Sequence, residues 1–353
     1  MYVYSRDVLS NISIFDVYVA NDDCEKSCGA IKLKVFQFIN HANKTAGGAQ
    51  TIAHQIHSVF AGSEIFGFDF VYSQGKKTLS NVPLCFLNYV YCAIFQRQSI
   101  IIIHHRIFLI LNLFLRHKNS YFICHNIFPS KNFIFKVNTC MRYVAVSDEV
   151  FSYLSAHCPE SAICTIYNGL DVDEASYREG GADQFTICYV GRLSQQKGVR
   201  DLVEAFKIFS EGKSDVFLRI IGDGECLDEL LECAAGSFNI EFCGKKDKPF
   251  RECVDASVVV VPSRYEGFGL VYYEALEYGH YVLASSLSVF ETLSGEEHVK
   301  FFEPGDLQGM CCALEYVYGS VLIDATIKKR RHRFSSMEIM NDQYRTLFEE
   351  EYD

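Results

Sequence analysis

Two clusters in the C-terminal half of the chain carry the residue types that phosphate and hydroxyl chemistry needs. The first is Gly191-Arg192-Leu-Ser-Gln-Gln-Lys197-Gly198, in which Arg192 follows an apolar run and Lys197 lies five residues further on. A fork-shaped guanidinium beside a compact ammonium matches the oxygens of a diphosphate. The second is Pro262-Ser-Arg-Tyr-Glu266-Gly267-Phe268-Gly269-Leu270, leading into Val271-Tyr-Tyr-Glu274. Its glycines allow close backbone approach to a ligand, and the unpaired amides of a helix starting there favour an anion. Glu266 and Glu274 cannot be phosphate ligands, because like charges repel. Ionised carboxylates accept hydrogen bonds, so they fit hydroxyls such as those of a sugar and a ribose.

Two other clusters carry less. Gly222-Asp-Gly224 lacks the third glycine of a dinucleotide fingerprint and does not follow the first strand of its unit, so it reads as a tight strand-to-helix turn. Asp171-Val-Asp173 follows Asn168-Gly169 in a polar linker, where two carboxylates alone read as solvated turn residues and not as a metal site.

The elements that must position these groups follow from the hydrophobic pattern. Phe185–Leu193 is a strand running into the Arg192 loop, and 201–211 carries Leu202, Val203, Phe206 and Phe209 on one helical face. Val216–Ile221, Ile240–Cys243, Val258–Val261 and Tyr281–Ala284 are further strands, with helices around Leu227–Ala234 and Gly269–Tyr278. In the N-terminal half, Lys32–Ile39 is a strand, Asn40–Gly48 a turn-rich loop, and the stretch from Ala49 a helix with Ile52, Ile56 and Val59 in register. Ile100–Ile103 is a buried strand, Phe108–Leu115 begins a packed helix, and a strand from Tyr121 ends at His125. Tyr143–Val146 is another, with Ser147 as the N-cap of the helix after it. Strands alternating with helices predict parallel sheets covered on both faces, in two α/β domains with a cleft between them. Ligands then bind beyond the carboxyl ends of the strands.

Charge is unevenly distributed. The chain of 353 residues has 33 basic and 44 acidic residues, a net charge of -11, which argues against general nucleic-acid binding. Yet no acid lies between Asp69 and Asp148, a stretch that holds nine Lys and Arg, four His and many Ile, Leu and Phe. Such a face suits an anionic membrane surface or a phosphorylated lipid. The run SIIIIHHRIFLILNLFL (99–115) is not a span, since an Arg near its centre costs roughly 2.5–3.5 kcal/mol on insertion. Fifteen cysteines without a C-x-x-C pair read as reduced core residues in a reducing cytosol, and the N-terminus does not read as a signal peptide.

YVGRLSQQKGVRDLVEAF, LRIIGDGECLDEL and VVVVPSRYEGFGLVYYEALEYG resemble the donor domain of GT-B-fold retaining glycosyltransferases, in particular family 4 (glycosyl transferases group 1). VAVSDEV, TIYNGLDVD and ICHN are weaker phrases of the same kind. The resemblance implies an α/β fold of two Rossmann-like domains facing each other across a cleft. It implies an acceptor-binding domain at 31–167, a donor-binding domain at 168–325, and a C-terminal helix at 326–353 that packs back toward the first domain, whereas residues 1–30 are an N-terminal extension to which it assigns no role. Arg192 and Lys197 would bind the donor diphosphate, assisted by the amides of Leu270 and Val271. Glu266, Gly267, Phe268 and Gly269 would hold the donor sugar, Glu274 the ribose, and the Gly47-Gly48 loop would face the donor. His125 falls where such enzymes carry an active-site histidine, and the segment around Cys243–Lys245 where they contact the base.

The implied activity is metal-independent transfer, without a cofactor, from a nucleotide-diphosphate sugar to a glycan or lipid-linked acceptor in cell-surface polysaccharide synthesis. Its place is the cytoplasm, on the cytoplasmic face of a membrane. Catalysis would rest on His125, Arg192, Lys197 and Glu266. The alternatives are a GT-B nucleotide-sugar epimerase, a catalytically silent glycan-binding subunit, and a nicotinamide-dependent oxidoreductase. One departure is Gly279-His280, where the family usually has Pro-Val, and the N-terminal extension at 1–30 is another; the basic run Lys328–Arg333 before the last helix reads as a solvated face or a membrane contact.

Overall fold

The computed structural model describes residues 34–43, 47–60, 62–73, 76–128, 130, 132–171, 184–291, 298–323 and 336–349. The extension at 1–30, Asp173 and the basic run 328–333 lie outside them.

The first sheet contains β1 (Val35–Phe38), β2 (Glu64–Phe66), β3 (Phe70–Ser73), β4 (Lys76–Leu79), β5 (Ile100–Ile103), β6 (Ser120–Cys124), β7 (Met141–Ala145) and β8 (Ile163–Thr165), in the order β4-β3-β2-β1-β5-β6-β7-β8. The second contains β9 (Phe185–Val190), β10 (Val216–Ile221), β11 (Ile240–Gly244), β12 (Val258–Val261), β13 (Tyr281–Ser285) and β14 (Val299–Phe302), in the order β11-β10-β9-β12-β13-β14. Every pairing in the second sheet is parallel, and the Ile and Val runs of β5 and β12 are buried throughout, as strands covered on both faces require. The first sheet departs from the expected parallel pattern at one edge: β3 is antiparallel to β2 and to β4. β4 is solvent-exposed and begins with two lysines, a composition that blunts a free edge.

The helices are α1 (Gly48–Val59), α2 (Val82–Phe95), α3 (Ile107–Leu115), α4 (Phe133–Val137), α5 (Asp148–Ser155), α6 (Val199–Phe209), α7 (Leu227–Cys233), α8 (Leu270–Glu277), α9 (Ser288–Glu291), α10 (Leu307–Ile323) and α11 (Met337–Glu349). Neighbouring residues on a strand show which helix covers which face. Phe38 packs against Tyr89 of α2 and Phe108 of α3, whereas Gln37 donates to the Ala53 carbonyl of α1. Phe122 meets Phe135 of α4, whereas Tyr121 meets Phe348 of α11. So α2, α3 and α4 form one layer of the first lobe, and α1 and α11 lie on the other face. In the second lobe, β9 residues Phe185, Ile187 and Tyr189 share a core with Leu202, Phe206 and Phe209 of α6 and with Leu314 and Val317 of α10.

The chain returns to the first lobe through α11. Gly169 lies so close to it that a Cβ there would sit 2.6 Å from Met337 Cα, and Leu170 bridges to Ser336. Helix α8 stops at Gly279, whose φ of 79° is left-handed, and the Gly279 amide donates back to the Leu276 carbonyl. Gly279-His280 thereby closes the helix without a proline.

Candidate active site

The loops after β9, β10 and β12 are pressed together at the carboxyl edge of the second sheet. Gly198 has a φ of 62°, and a Cβ there would lie 2.0 Å from the Pro262 carbonyl oxygen. A Cβ on Gly222 would lie 1.8 Å from the Gly191 carbonyl oxygen, so only glycine lets the β10 turn support the Arg192 loop. Leu193 donates to the Asp223 carbonyl, Arg264 to that of Gln196, and the Tyr189 hydroxyl to that of Arg192. Gly222-Asp-Gly224 is therefore the strand-to-helix turn its sequence implies, and it serves the site as a buttress.

Lys197 Nζ lies 2.5 Å from Glu266 Oε1, which also accepts from Ser263 Oγ at 2.7 Å. Glu266 is buried, and its charge is answered locally by the lysine and the hydroxyl. Gly269, with a φ of 81°, forms the cap of α8, and a Cβ there would run into the Phe290 ring at 2.4 Å. Leu270 and Val271 supply the first amides of that helix. Phe268 turns inward, its ring 4.7 Å from that of Tyr273, so its side chain belongs to the core. Glu274, a turn into α8, is pushed up to about 7, chiefly by burial and further by the Asp171 carboxylate.

The first lobe closes the site from the opposite side. Arg192 reaches across to Gly47: a Cβ there would lie 3.0 Å from Arg192 Nη2. A Cβ on Gly48 would lie 3.2 Å from Leu270 Cδ1, and one on Gly267 2.1 Å from the His125 carbonyl oxygen. Ser147 caps α5 by accepting from the Val150 amide, and its hydroxyl donates across the cleft to the Gly267 carbonyl at 2.7 Å. Arg192, the Lys197–Glu266 pair, Gly267 and the start of α8 thus converge with Gly47, Gly48 and His125. Cys243 and Lys245 are not among the groups making these contacts; the Gly244 carbonyl instead accepts from the Gly222 amide, behind the Arg192 loop.

His125 stands at the end of a buried relay absent from the sequence reading. Its Nε2 lies 2.8 Å from His104 Nδ1, the two rings stack at 5.1 Å, and His104 Nε2 lies 3.0 Å from Gln37 Oε1. Because Gln37 donates its amide to Ala53, its oxygen faces His104. His104 Nε2 then carries the proton, its Nδ1 accepts from His125 Nε2, and the Nδ1 lone pair of His125 remains to accept a hydrogen bond. Burial pushes His125 down to about 4 and His104 well below the usual histidine value, so both are neutral at neutral pH. The only sequence cue for Gln37 and His104 is that each falls in or just after an apolar strand.

Among the described residues there is no cluster of three or more His, Cys, Asp or Glu that could hold a metal ion. Asp171 lies beside Glu274 and Tyr278, whose hydroxyl donates to its carbonyl.

A two-lobed α/β molecule with a cation and carboxylate cluster at the facing sheet edges has the GT-B architecture, and solved structures share it. HepE from Anabaena, solved with UDP and glucose, superposes with a TM-score of 0.71 over 90% of this chain and 99% of that one, at 15% identity. Sucrose-phosphate synthase from Thermosynechococcus elongatus gives 0.76 over 91% and 99%, at 18% identity. Residues 184–319 match the family Glycosyl transferases group 1, so the second lobe is a domain of that family. Curated relatives include the capsular polysaccharide biosynthesis glycosyltransferase CapM of Staphylococcus aureus, 26% identical over 50% of each chain. Glycogen synthase of Mycobacterium tuberculosis is 28% identical over 56% of this chain and 48% of its own. The chain spans about half the length of the curated relatives it matches.

Proposed function

We propose that the protein is a retaining glycosyltransferase that moves a sugar from a nucleotide-diphosphate sugar to a glycan or lipid-linked acceptor, in cell-surface polysaccharide assembly. The observation that carries this reading is the convergence of Arg192, the Lys197–Glu266 pair and the α8 N-terminus with Gly47 and His125 of the opposite lobe.

The donor diphosphate sits on the α8 amides between Arg192 and Lys197. As the bond from the anomeric carbon to the diphosphate oxygen breaks, negative charge grows on the leaving group, and two fixed cations and a helix terminus stabilise it there. The acceptor oxygen bonds to the anomeric carbon on the face the diphosphate leaves, and its proton passes to the departing phosphate oxygen. Glu266, with Oε1 held by Lys197 and Ser263, offers Oε2 to a hydroxyl of the donor sugar, and Glu274 accepts from the ribose. His125, neutral and fixed in one tautomer, accepts from a sugar hydroxyl through Nδ1 and acts as a positioner, not as a charged base.

The cations are built into the protein, so the reading needs neither metal nor cofactor. It places the protein in the cytoplasm, at the face of an anionic membrane that carries the acceptor. The acid-free stretch of the first lobe supports the membrane part of that placement. The test is nucleotide release from a panel of nucleotide sugars with and without a polyprenyl-phosphate-linked glycan, with the product anomer read by NMR. Release that depends on acceptor, with the donor anomer kept, is expected. Turnover without an acceptor, or an inverted product, overturns it.

A further inference from the structure

Helices α2 and α3 contain no charged residue and are apolar on every side. A helix of that kind is ordinarily buried all round. Here the inner faces are buried, through Tyr89 and Cys92 of α2 and Phe108 and Leu109 of α3, but the outer faces are bare. Phe95 is 69% exposed on α2, Phe114 76% on α3 and Phe133 66% on α4, with Leu87 and Ile110 exposed beside them. The three helices form one layer. Tyr89 of α2 bonds Asn112 of α3, Asn138 just after α4 donates to the Leu109 carbonyl of α3, and α2 packs on α3 as α3 does on α4. Isolated surface apolar residues are ordinary; a contiguous layer of them marks a contact surface.

The charges carried by these helices and by the segments that join them have one sign, the nearby acid being Asp69, beside Cys85 at the start of α2. Arg97 follows α2 and donates to the Leu115 carbonyl at the end of α3, beside Arg116 and Lys118, while Lys136 stands on α4. Arg116 is the one non-glycine residue with positive φ among the described residues, so a cation occupies a helix end where glycine is the easier choice. No acid lies between Asp69 and Asp148, in a chain whose net charge is -11. Exposed apolar side chains with cations at the C-terminal ends of α2 and α3 and on α4, in a stretch of sequence that holds no acid, complement a lipid surface whose headgroups are anionic and whose interior is hydrocarbon.

We propose that the outer faces of α2, α3 and α4 seat the protein on an anionic bilayer, with the aromatic side chains at the acyl boundary and Arg97, Arg116, Lys118 and Lys136 against the headgroups. This deepens the membrane part of the proposed function but requires no donor, so vesicle binding and donor binding fail separately.

The test is co-sedimentation of the full chain with vesicles of phosphatidylcholine alone and of phosphatidylcholine with phosphatidylglycerol. The protein pellets with the anionic vesicles and much less with the neutral ones, and added salt weakens the binding. The combined variant Phe95→Ser/Phe114→Ser/Phe133→Ser binds roughly tenfold more weakly or worse. Arg97→Gln/Arg116→Gln/Lys118→Gln, which leaves the apolar layer intact, loses roughly fivefold for each cation removed. Unchanged far-UV circular dichroism and unchanged nucleotide-sugar titration show that the variants are folded. Wild-type protein that ignores both vesicles, or serine and glutamine variants that bind like wild type, overturns the proposal. So does a wild-type dimer in sedimentation velocity that the serine variant makes monomeric while neither binds vesicles, since the surface then belongs to a second copy.

Discussion

At the residue scale, the site separates two kinds of titrating group. Glu274 is raised to about 7 by burial and by Asp171, so between its ordinary range and that value the folded protein holds a proton the unfolded chain has released. Stability therefore falls as pH rises through this window. Glu274→Gln should be the more stable protein at pH 8, by at most about 3 kcal/mol, with the difference vanishing near pH 4; melting curves at both pH values check it. The same ionisation should strengthen nucleotide-sugar binding between pH 6 and pH 8 in the wild type. Glu274→Ala should weaken that binding by roughly 1.5–3 kcal/mol in a calorimetric titration at pH 8. The histidine relay behaves in the opposite way. With His125 pushed down to about 4, the pH profile of kcat at saturating donor, where the Glu274 effect on binding drops out, should show no histidine step near 6.5. His125→Ala should lower turnover on the order of 10²-fold, and His104→Ala, acting through His125, should add little to it in the double variant. Additive losses in that cycle would mean His104 supports the fold and not the tautomer.

At the element scale, the glycines fall into two groups that a sequence cannot separate. Gly198 and Gly212 both have left-handed φ, but Gly198 is pressed against the Pro262 carbonyl whereas nothing lies within 4 Å of a Cβ on Gly212. Gly212→Ala should cost about 1–2 kcal/mol in denaturant unfolding, the left-handed penalty alone, and Gly198→Ala clearly more, because a backbone must move. Gly267→Ala meets the His125 carbonyl of the other lobe, so it should impair turnover far more than stability. The strands that carry the site were legible because parallel strands buried on both faces read as unbroken apolar runs, as in Ile100–Ile103 and Val258–Val261. The Arg192 and Glu266 loops were legible because glycine and charge follow those runs directly. Strands β2 to β4 were not, since short half-buried edge strands lack such a run, and α2 was not, since a helix apolar on every side has no periodicity to detect. Gln37 and His104 were hidden for a further reason: their roles are partnerships between neighbouring strands, set by register and not by spacing.

At the scale of the whole molecule, two lobes are held face to face by loops that meet across the cleft and by a helix that crosses back. Phe348 of α11 is fully buried between Phe60 and Tyr121, so Phe348→Ala should cost about 3–5 kcal/mol of stability, measured by chemical denaturation. Ser147 and Gly267 join the lobes directly at the site, so the cluster is complete only when the cleft is closed. The account rests on a cationic grip for a diphosphate in that cleft, and calorimetric titration of nucleotide sugars into the wild type and into Arg192→Ala/Lys197→Ala tests it most directly. At least one nucleotide sugar should bind the wild type and lose most of its affinity for the double variant, while the variant keeps its far-UV circular dichroism. A folded double variant that binds as tightly as wild type, or a wild type that binds none of them, would contradict it.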